Sequence, residues 1–324
     1  MNRQIELQNP FSKNALLQDT LGLHENGAVV FPYKNGAYRL VQEDNYTQNF
    51  GYQWNKFAAT QIDREQKNVQ LSYNRFFAVT GWDKENLQDK NVLEVGSGAG
   101  RFSQIVLDHT KANLYSVDYS NAVEANFKNN GHHKNRFHLY QASVYDMPFA
   151  KAQFDKVFCF GVIQHTPDVQ KTVESLISMA KPGAQVIVDF YCVNGWWTKL
   201  QAKYIFRPIT KKWSNEKLLS KIEKNVDWMI AATGFFNKIG IGRFVNRFIP
   251  ICDIRGTLPQ GLSKQEIREW CVLDTFDMFS PAYDQPQKVD TVKKWFEENG
   301  MVQVWGGEVV YDNCIAYVVK GIKK

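Results

Sequence analysis

The sequence predicts an α/β protein with a parallel sheet covered by helices on both faces, and three observations lead there. From Asn91 onward, short apolar runs alternate with stretches of helical spacing, as expected for strands buried on both faces. A glycine-rich turn, V-L-E-V-G-S-G-A-G-R-F at 92–102, stands at the first strand-to-helix junction. The tripeptide K-P-G at 181–183 is a helix stop placed just before the fifth strand.

The elements follow in chain order. Residues 1–45 are polar and weakly patterned, with strand candidates A-V-V-F-P-Y and A-Y-R-L-V on either side of a K-N-G turn at 34–36. The aromatic-rich T-Q-N-F-G-Y-Q-W-N-K-F comes next, followed by helical spacing through about residue 80. Strands are expected at 91–95, 114–118, 136–142, 154–160 and 184–191, with helices at about 101–110, 121–130 and 168–181. The alternation then breaks. Residues 193–287 carry helical spacing, as in Leu218, Leu219, Ile222, Val226, Met229 and Ile230. A helix at 289–300 and two strands at 301–309 and 314–320, joined by a Y-D-N turn, close the chain. The expected organisation is an N-terminal arm with short strands (1–45), a core (46–192), a basic helical insertion (193–287), and a closing helix and hairpin (288–324) that return to the core.

Composition narrows the class. The chain has 324 residues, 44% hydrophobic and 22% charged, ordinary values for a soluble globular protein. Aromatics at 14% favour either a stacking pocket or simply a larger core. No apolar run reaches the roughly 18 residues of a membrane helix, and M-N-R-Q-I-E-L-Q-N-P has no signal-peptide core. A cytoplasmic location is expected. The five cysteines are scattered without a C-x-x-C pair, which argues against a disulfide framework or a zinc ribbon. The net charge of +6 is unevenly spread: 12 Lys/Arg against 4 Asp/Glu lie between Trp196 and Arg255.

The glycine turn offers free backbone N–H groups and a positive helix end to an electron-rich ligand. Gly96 and Gly98 fit a dinucleotide pattern, but Arg101 occupies its third glycine position, and the spacing is G-x-G-x-G with Gly100. No Lys follows the turn, which excludes a P-loop. Asp118 ends the second strand, 18 residues past Gly100, where a carboxylate can accept from both hydroxyls of a ribose. The bland alternative is a tight turn and an ordinary strand-end acid.

Four segments in order, E-V-G-S-G-A-G-R-F, V-D-Y-S, D-M-P-F…F-D-K-V-F-C-F-G-V-I-Q-H-T-P-D and K-P-G-A-Q-V-I-V-D-F, resemble the class I S-adenosylmethionine-dependent methyltransferases over about 91–192. The resemblance implies a Rossmann-like seven-stranded sheet whose last strand is antiparallel, with helices on both faces. It implies S-adenosylmethionine as cofactor and S-adenosylhomocysteine as product. Glu94 and the turn Gly96, Ser97, Gly98 and Gly100 would hold the methionine part. Asp118 would take the ribose and Tyr119 would lie against the adenine. Ser143 and Val144 would flank the adenine edge, and Phe160 and Gly161 would line the floor. Ser143 stands where the family often has Asp, and a hydroxyl accepts more weakly than a carboxylate. The stretches N-G-A-Y-R-L-V, N-F-G-Y-Q-W and V-L-D-T-F-D-M-F-S-P-A-Y-D-Q-P resemble a bacterial small-molecule subgroup that commonly begins with a zinc ribbon. No cysteine precedes Cys159, so the ribbon has lost its ligands and no metal is expected.

The chemistry implied is in-line methyl transfer, for which alignment and a dry site matter most. Tyr52 and Trp54 are candidates for an aromatic wall on the substrate side, packing of the arm being the alternative. His165, just after the fourth strand, is the candidate base; Asp274 and Asp277 are its rivals at the substrate. A small-molecule or lipid- or sugar-linked acceptor is expected, methylated on oxygen. The alternative is a degenerate methyltransferase that binds the cofactor as a scaffold without catalysis. Nucleic acid is not expected as a partner. The basic stretch 196–255 is expected to cover the acceptor pocket as a lid, with peripheral contact to anionic membrane on its inner face as a second possibility.

Overall fold

A computed structural model describes residues 5–41, 45–65, 70–193, 195–254, 258 and 261–324. Short strands open the chain: β1 (Leu7–Gln8), β2 (Ala15–Gln18), β3 (Gly22–Glu25), β4 (Ala28–Lys34) and β5 (Ala37–Arg39). Asn35 and Gly36, at φ 50° and 82°, make the tight reversal between β4 and β5, the backbone that an N-G pair favours. Helices Gln48–Lys56 and Leu71–Thr80 follow; the first lies on the aromatic-rich segment, and the second closes the stretch of expected helical spacing that reaches about residue 80.

The βα alternation then runs as expected. Strands β6 (Asn91–Val95), β7 (Asn113–Asp118), β8 (Phe137–Gln141), β9 (Phe154–Phe160) and β10 (Ala180–Phe190) are parallel neighbours in the order β8-β7-β6-β9-β10. Between them lie helices Arg101–His109, Val123–Asn130 and Val169–Met179. β11 (Met301–Tyr311) and β12 (Cys314–Lys323) complete that side, with β12 antiparallel to both β10 and β11. The seven expected strands are therefore present with the expected antiparallel last strand. The sheet does not stop there, because β5 pairs in parallel with β8 through Tyr38↔Tyr140 and Arg39↔Gln141 and extends it to twelve strands. Strands of two to four residues, such as β1, β2 and β3, are too short to show an alternating pattern in sequence.

Both faces of the sheet are covered. Leu93, Val157, Val186 and Val188 pack against Val173, Leu176 and Ile177 and against Val292 and Phe296 of helix Val289–Glu298. On the other face Val92, Leu114, Phe158 and Ile187 meet Phe76, Val79, Ile105 and Val106. All five residues of β6 are buried, which is why its sequence reads as an apolar run interrupted only by Glu94.

The insertion leaves and returns at one place. Val193 N–H donates to Gln287 O (3.0 Å) and Gln287 N–H to Tyr191 O (2.9 Å). Between those points, helix Asn215–Lys238 packs against helix Lys264–Phe279. Leu218, Leu219, Ile222, Val226 and Met229 meet Trp270, Leu273 and Phe276 in a third core that also takes in Phe57 and Leu71. Ser263 and Glu266 start the Lys264–Phe279 helix with a reciprocal capping box. Among the described residues no helix is long and apolar enough to cross a membrane. Arg255, at the end of the basic stretch, lies outside the described residues.

Candidate active site

The carboxyl ends of the parallel strands open on a cleft of about 1070 Å³, walled on its far side by the helical insertion. Gly96, Ser97, Gly98, Asp118, Tyr119, Val144, Phe160, Gly161, Trp54, His165, Asp274 and Asp277 all line it. Of the residues singled out in the sequence, Glu94, Gly100, Ser143 and Tyr52 do not.

The turn is held from within. Gly96 N–H donates to Val117 O (2.7 Å) and Gly100 N–H to Ser97 O (2.9 Å). Gly98 N–H donates to Asp118 Oδ2 at 2.8 Å. Gly96 has φ 80°, and a Cβ there would sit 2.2 Å from Val162 Cγ2. Gly100 has φ 84°, and its Cβ would sit 2.1 Å from Asn126 Oδ1, so only glycine fits either place. Gly100 shapes the turn from behind the cleft wall. The indole of Trp54 lies against Gly98, so that a Cβ added there would meet Nε1 at 3.1 Å.

Asp118 also accepts from Ser120 N–H (2.8 Å) and Ser120 Oγ (2.6 Å) on Oδ1. Burial pushes its carboxyl upward from the ordinary range, against the pull of the Ser120 and Gly98 donors. Tyr119 stands beside it, its ring 5.2 Å from that of Tyr46. Ser143, by contrast, turns back to accept from Tyr145 N–H (3.1 Å), leaving Val144 to face the cleft. Glu94 is placed behind the turn rather than in it. Its carboxylate takes the hydroxyls of Ser103 and Ser116, the latter at 2.8 Å. Burial raises its pKa to about 7, only partly offset by those two donors.

At the floor, Gly161 N–H donates to Asp189, the acid that ends the apolar V-I-V-D run of β10. Asp189 is clamped by Arg75 at 2.6 Å, and the Arg75 guanidinium lies 5.3 Å from the Phe102 ring centre. Arg101 is fixed beside it by Ser72 (2.8 Å) and Gln61 (3.0 Å). Asp274 faces these arginines from the insertion, with Asp277 beside it. Burial, then the charge of Asp277, raises Asp274 to about 7. Asp277 accepts from the Tyr191 hydroxyl at 3.1 Å. Tyr52 packs away from the cleft, 6.0 Å from Phe276 in the third core.

His165 sits between the two walls. Its Nδ1 faces Tyr283 O at 3.0 Å, which fixes that nitrogen as the N–H donor in the neutral ring. Among the described residues, Nε2 is buried with no partner. Burial lowers its pKa from 6.5, so the ring is neutral near pH 7 and its Nε2 lone pair is available to a proton. Ser97 Oγ and Gln53 Oε1 on one wall, and Thr233 Oγ1 and Asn246 Oδ1 on the insertion, are also buried in the cleft lining without partners among the described residues. Buried polar atoms without a partner are costly, and their alignment along one cleft is what a polar ligand at each end would satisfy. Arg75, Asp189, Gln53, Thr233 and Asn246 had not been singled out from the sequence. Asp189 alone carried a signal, as the one charge in the expected strand 184–191.

Comparison with known proteins bears on the fold that carries this site. Residues 93–188 match the family described as "Methyltransferase domain". Those residues carry a methyltransferase domain. Its fold is shared with the solved structure of Haemonchus contortus phospholethanolamine N-methyltransferase 2, at a TM-score of 0.50 and 13% identity, over 88% of this chain and 60% of that one. A tRNA U34 carboxymethyltransferase of Nautilia profundicola is 30% identical over 111 residues, 34% of this chain and 37% of the relative. A ubiquinone biosynthesis O-methyltransferase of Coxiella burnetii is 28% identical over 131 residues, 39% of this chain and 55% of the relative. The chain thus spans only about a third to just over a half of these relatives' lengths. The helical insertion, which supplies the far wall of the cleft, lies outside the matched residues 93–188.

Proposed function

We propose that the chain transfers a methyl group from S-adenosylmethionine to an oxygen of a small-molecule or lipid- or sugar-linked acceptor. The observation that carries this reading is a single cleft with two chemically different walls. One is the glycine turn clasped to Asp118; the other is the insertion, with the unpartnered His165 Nε2 between them.

The residues present fit the methyl donor. Among the described residues Ser97 Oγ is a buried hydroxyl without a partner, and the three glycines add no side chains of their own to the turn. Asp118 Oδ2, which accepts only the Gly98 N–H, has a second lone pair for a ribose hydroxyl. Tyr119 and Val144 would flank the adenine, Phe160 and Gly161 would floor it, and Trp54 would close over the turn. When bound, the donor supplies an activated methyl on a positively charged sulfur.

The protein's own task is then to orient the acceptor and to take its proton. His165 is suited to that as a neutral ring whose tautomer is fixed by Tyr283 O, with Nε2 as acceptor. Asp274 and Asp277 would orient acceptor hydroxyls from the insertion, and Arg75 and Arg101 would hold the electrostatic balance beside them. Removal of a proton by His165 favours oxygen over carbon as the methylated atom. The Coxiella relative's name, an O-methyltransferase, supports the same preference.

The test is a labelled-methyl assay on metabolite, lipid and tRNA fractions of cells lacking the protein, paired with calorimetry using S-adenosylmethionine and S-adenosylhomocysteine. Binding of both ligands with label in a metabolite or lipid fraction is expected. Label in tRNA alone would replace the acceptor class, in line with the Nautilia relative. Binding without transfer to any fraction would favour a cofactor-binding scaffold, and no binding of either ligand would remove the enzyme reading.

A further inference from the structure

The outer surface of the insertion is as unusual as its inner one. Ile205, Phe206 and Ile209 stand exposed on helix Ala202–Thr210, while Lys203 and Arg207 of the same helix turn inward to Asp284 and Pro281 O. Trp228, Phe235 and Ile239 form an exposed stripe along helix Asn215–Lys238. Trp197, Leu200, Ile241, Phe244 and Phe248 are exposed beside them, Phe244 at 71%.

These side chains belong to one surface. Arg247 Nη2 donates to Trp197 O (2.6 Å) and Nε to Leu200 O (2.9 Å), which joins the 196–200 turn to the 246–248 turn. Asn246 Nδ2 donates to Asn237 Oδ1 (3.0 Å) and so joins that turn to the end of the long helix. Thr198, Tyr204, Asn237, Arg243 and Asn246, interleaved with the exposed residues, line the cleft. The apolar surface therefore rims the acceptor end of the cleft.

Charge decides what covers it. The sequence has no Asp or Glu from 197 to 215 or from 228 to 252, yet Lys199, Lys211, Lys212, Lys238, Arg243 and Arg247 lie there. Exposed aromatics and aliphatics interleaved with cations of one sign are complementary to an anionic bilayer, where rings enter the headgroup boundary and lysines meet phosphates. A second copy would have to face this positive surface with its own, against like-charge repulsion.

We propose that this face docks on an anionic phospholipid surface and sets the mouth of the cleft against the headgroup layer. Its corollary, that the acceptor is carried in or on that layer, rests on the methyl-transfer reading; the docking does not.

The experiment is flotation of the full chain with vesicles of phosphatidylcholine, with and without phosphatidylglycerol, in low and high salt and without any methyl donor. Binding to the anionic vesicles alone is expected, weakened by salt. The double variant Phe244→Ser, Phe248→Ser and the triple variant Lys211→Glu, Lys212→Glu, Lys238→Glu should each lose on the order of tenfold or more in vesicle affinity. Calorimetry with S-adenosylhomocysteine should give the same affinity in both variants as in the parent. The charge variant leaves every apolar residue in place and so keeps the test sound if the double variant misfolds. Equal flotation with neutral vesicles, no flotation, or self-association abolished by the double variant would each overturn the proposal. A parent chain that floats but binds no donor would keep the docking and defeat only the methyl-transfer reading.

Discussion

Asp118→Asn is the sharpest probe of the donor wall. The carboxylate receives three hydrogen bonds, Gly98 N–H on one oxygen and Ser120 N–H and Oγ on the other, all between 2.6 and 2.8 Å. An amide can keep only one oxygen. If Nδ2 faces the turn, it opposes the Gly98 N–H; if it faces Ser120, the hydroxyl can rotate to accept but the Ser120 N–H loses its partner. One backbone donor is orphaned either way, at a cost of about 1–3 kcal/mol, and the ribose hydroxyls lose a charged acceptor worth a similar amount. Relief of the buried charge returns part of this, since burial already works against the ionised form. The orphaned donor costs the free and bound states alike and shows as lost stability, so donor affinity loses only the charged acceptor, about 1–3 kcal/mol, a weakening of roughly five- to a hundred-and-fifty-fold. Isothermal calorimetry with S-adenosylhomocysteine reads it directly, with circular dichroism to confirm an intact fold. An unchanged dissociation constant in a folded variant would refute the assignment of the ribose to Asp118.

Three further outcomes are expected. Gly100→Ala should destabilise the fold by about 3 kcal/mol, because it combines a left-handed backbone with overlap against the Asn126 and Asn130 amides; urea denaturation measures it, and a change under 1 kcal/mol would count against the overlap. Glu94 holds its proton to about pH 7 in the fold against an ordinary 4.5. The unfolded state therefore binds fewer protons between those values, and this residue's stabilisation falls as pH rises from 4.5 to 7. Glu94→Gln should match the parent near pH 4.5 and exceed it above pH 7, by up to about 3 kcal/mol; parallel denaturation curves across pH would check the divergence. His165→Gln should lower kcat by about a hundredfold or more with little change in donor affinity. In the parent, the acid limb of the rate profile should fall with a midpoint below 6.5, since burial lowers this imidazole; a limb above 6.5, or an unchanged kcat, would remove the base.

Local chemistry made half of the site legible and hid the other half. The glycine turn and Asp118 were visible because a strand-to-helix junction fixes its residues within a few positions of one another. Neighbouring candidates part ways in the structure. Trp54 lines the cleft while Tyr52, two positions earlier on the same helix, is rotated about 200° to the far side and packs on Phe276. Val144 faces the cleft and Ser143 turns away. Glu94 points to Ser103 and Ser116 because alternate side chains of a strand take opposite faces. Arg75 and Asp189 are 114 positions apart and meet only through tertiary packing, so no window of sequence could have paired them. The seven core strands were readable from their apolar runs. The five that extend the sheet were mostly too brief to register.

Those brief strands give the sheet two very different ends. On one side the outermost strand is β1, two residues long; on the other it is β11, eleven residues, with Val302, Trp305 and Val310 exposed. A two-residue border gives an incoming chain little to pair with, whereas a long one is a ready template. Cutting the chain back to Asn45 would bare β8 and give both borders that property. Such a shortened protein would keep its glycine turn and Asp118, and would be expected to precipitate by strand-to-strand pairing.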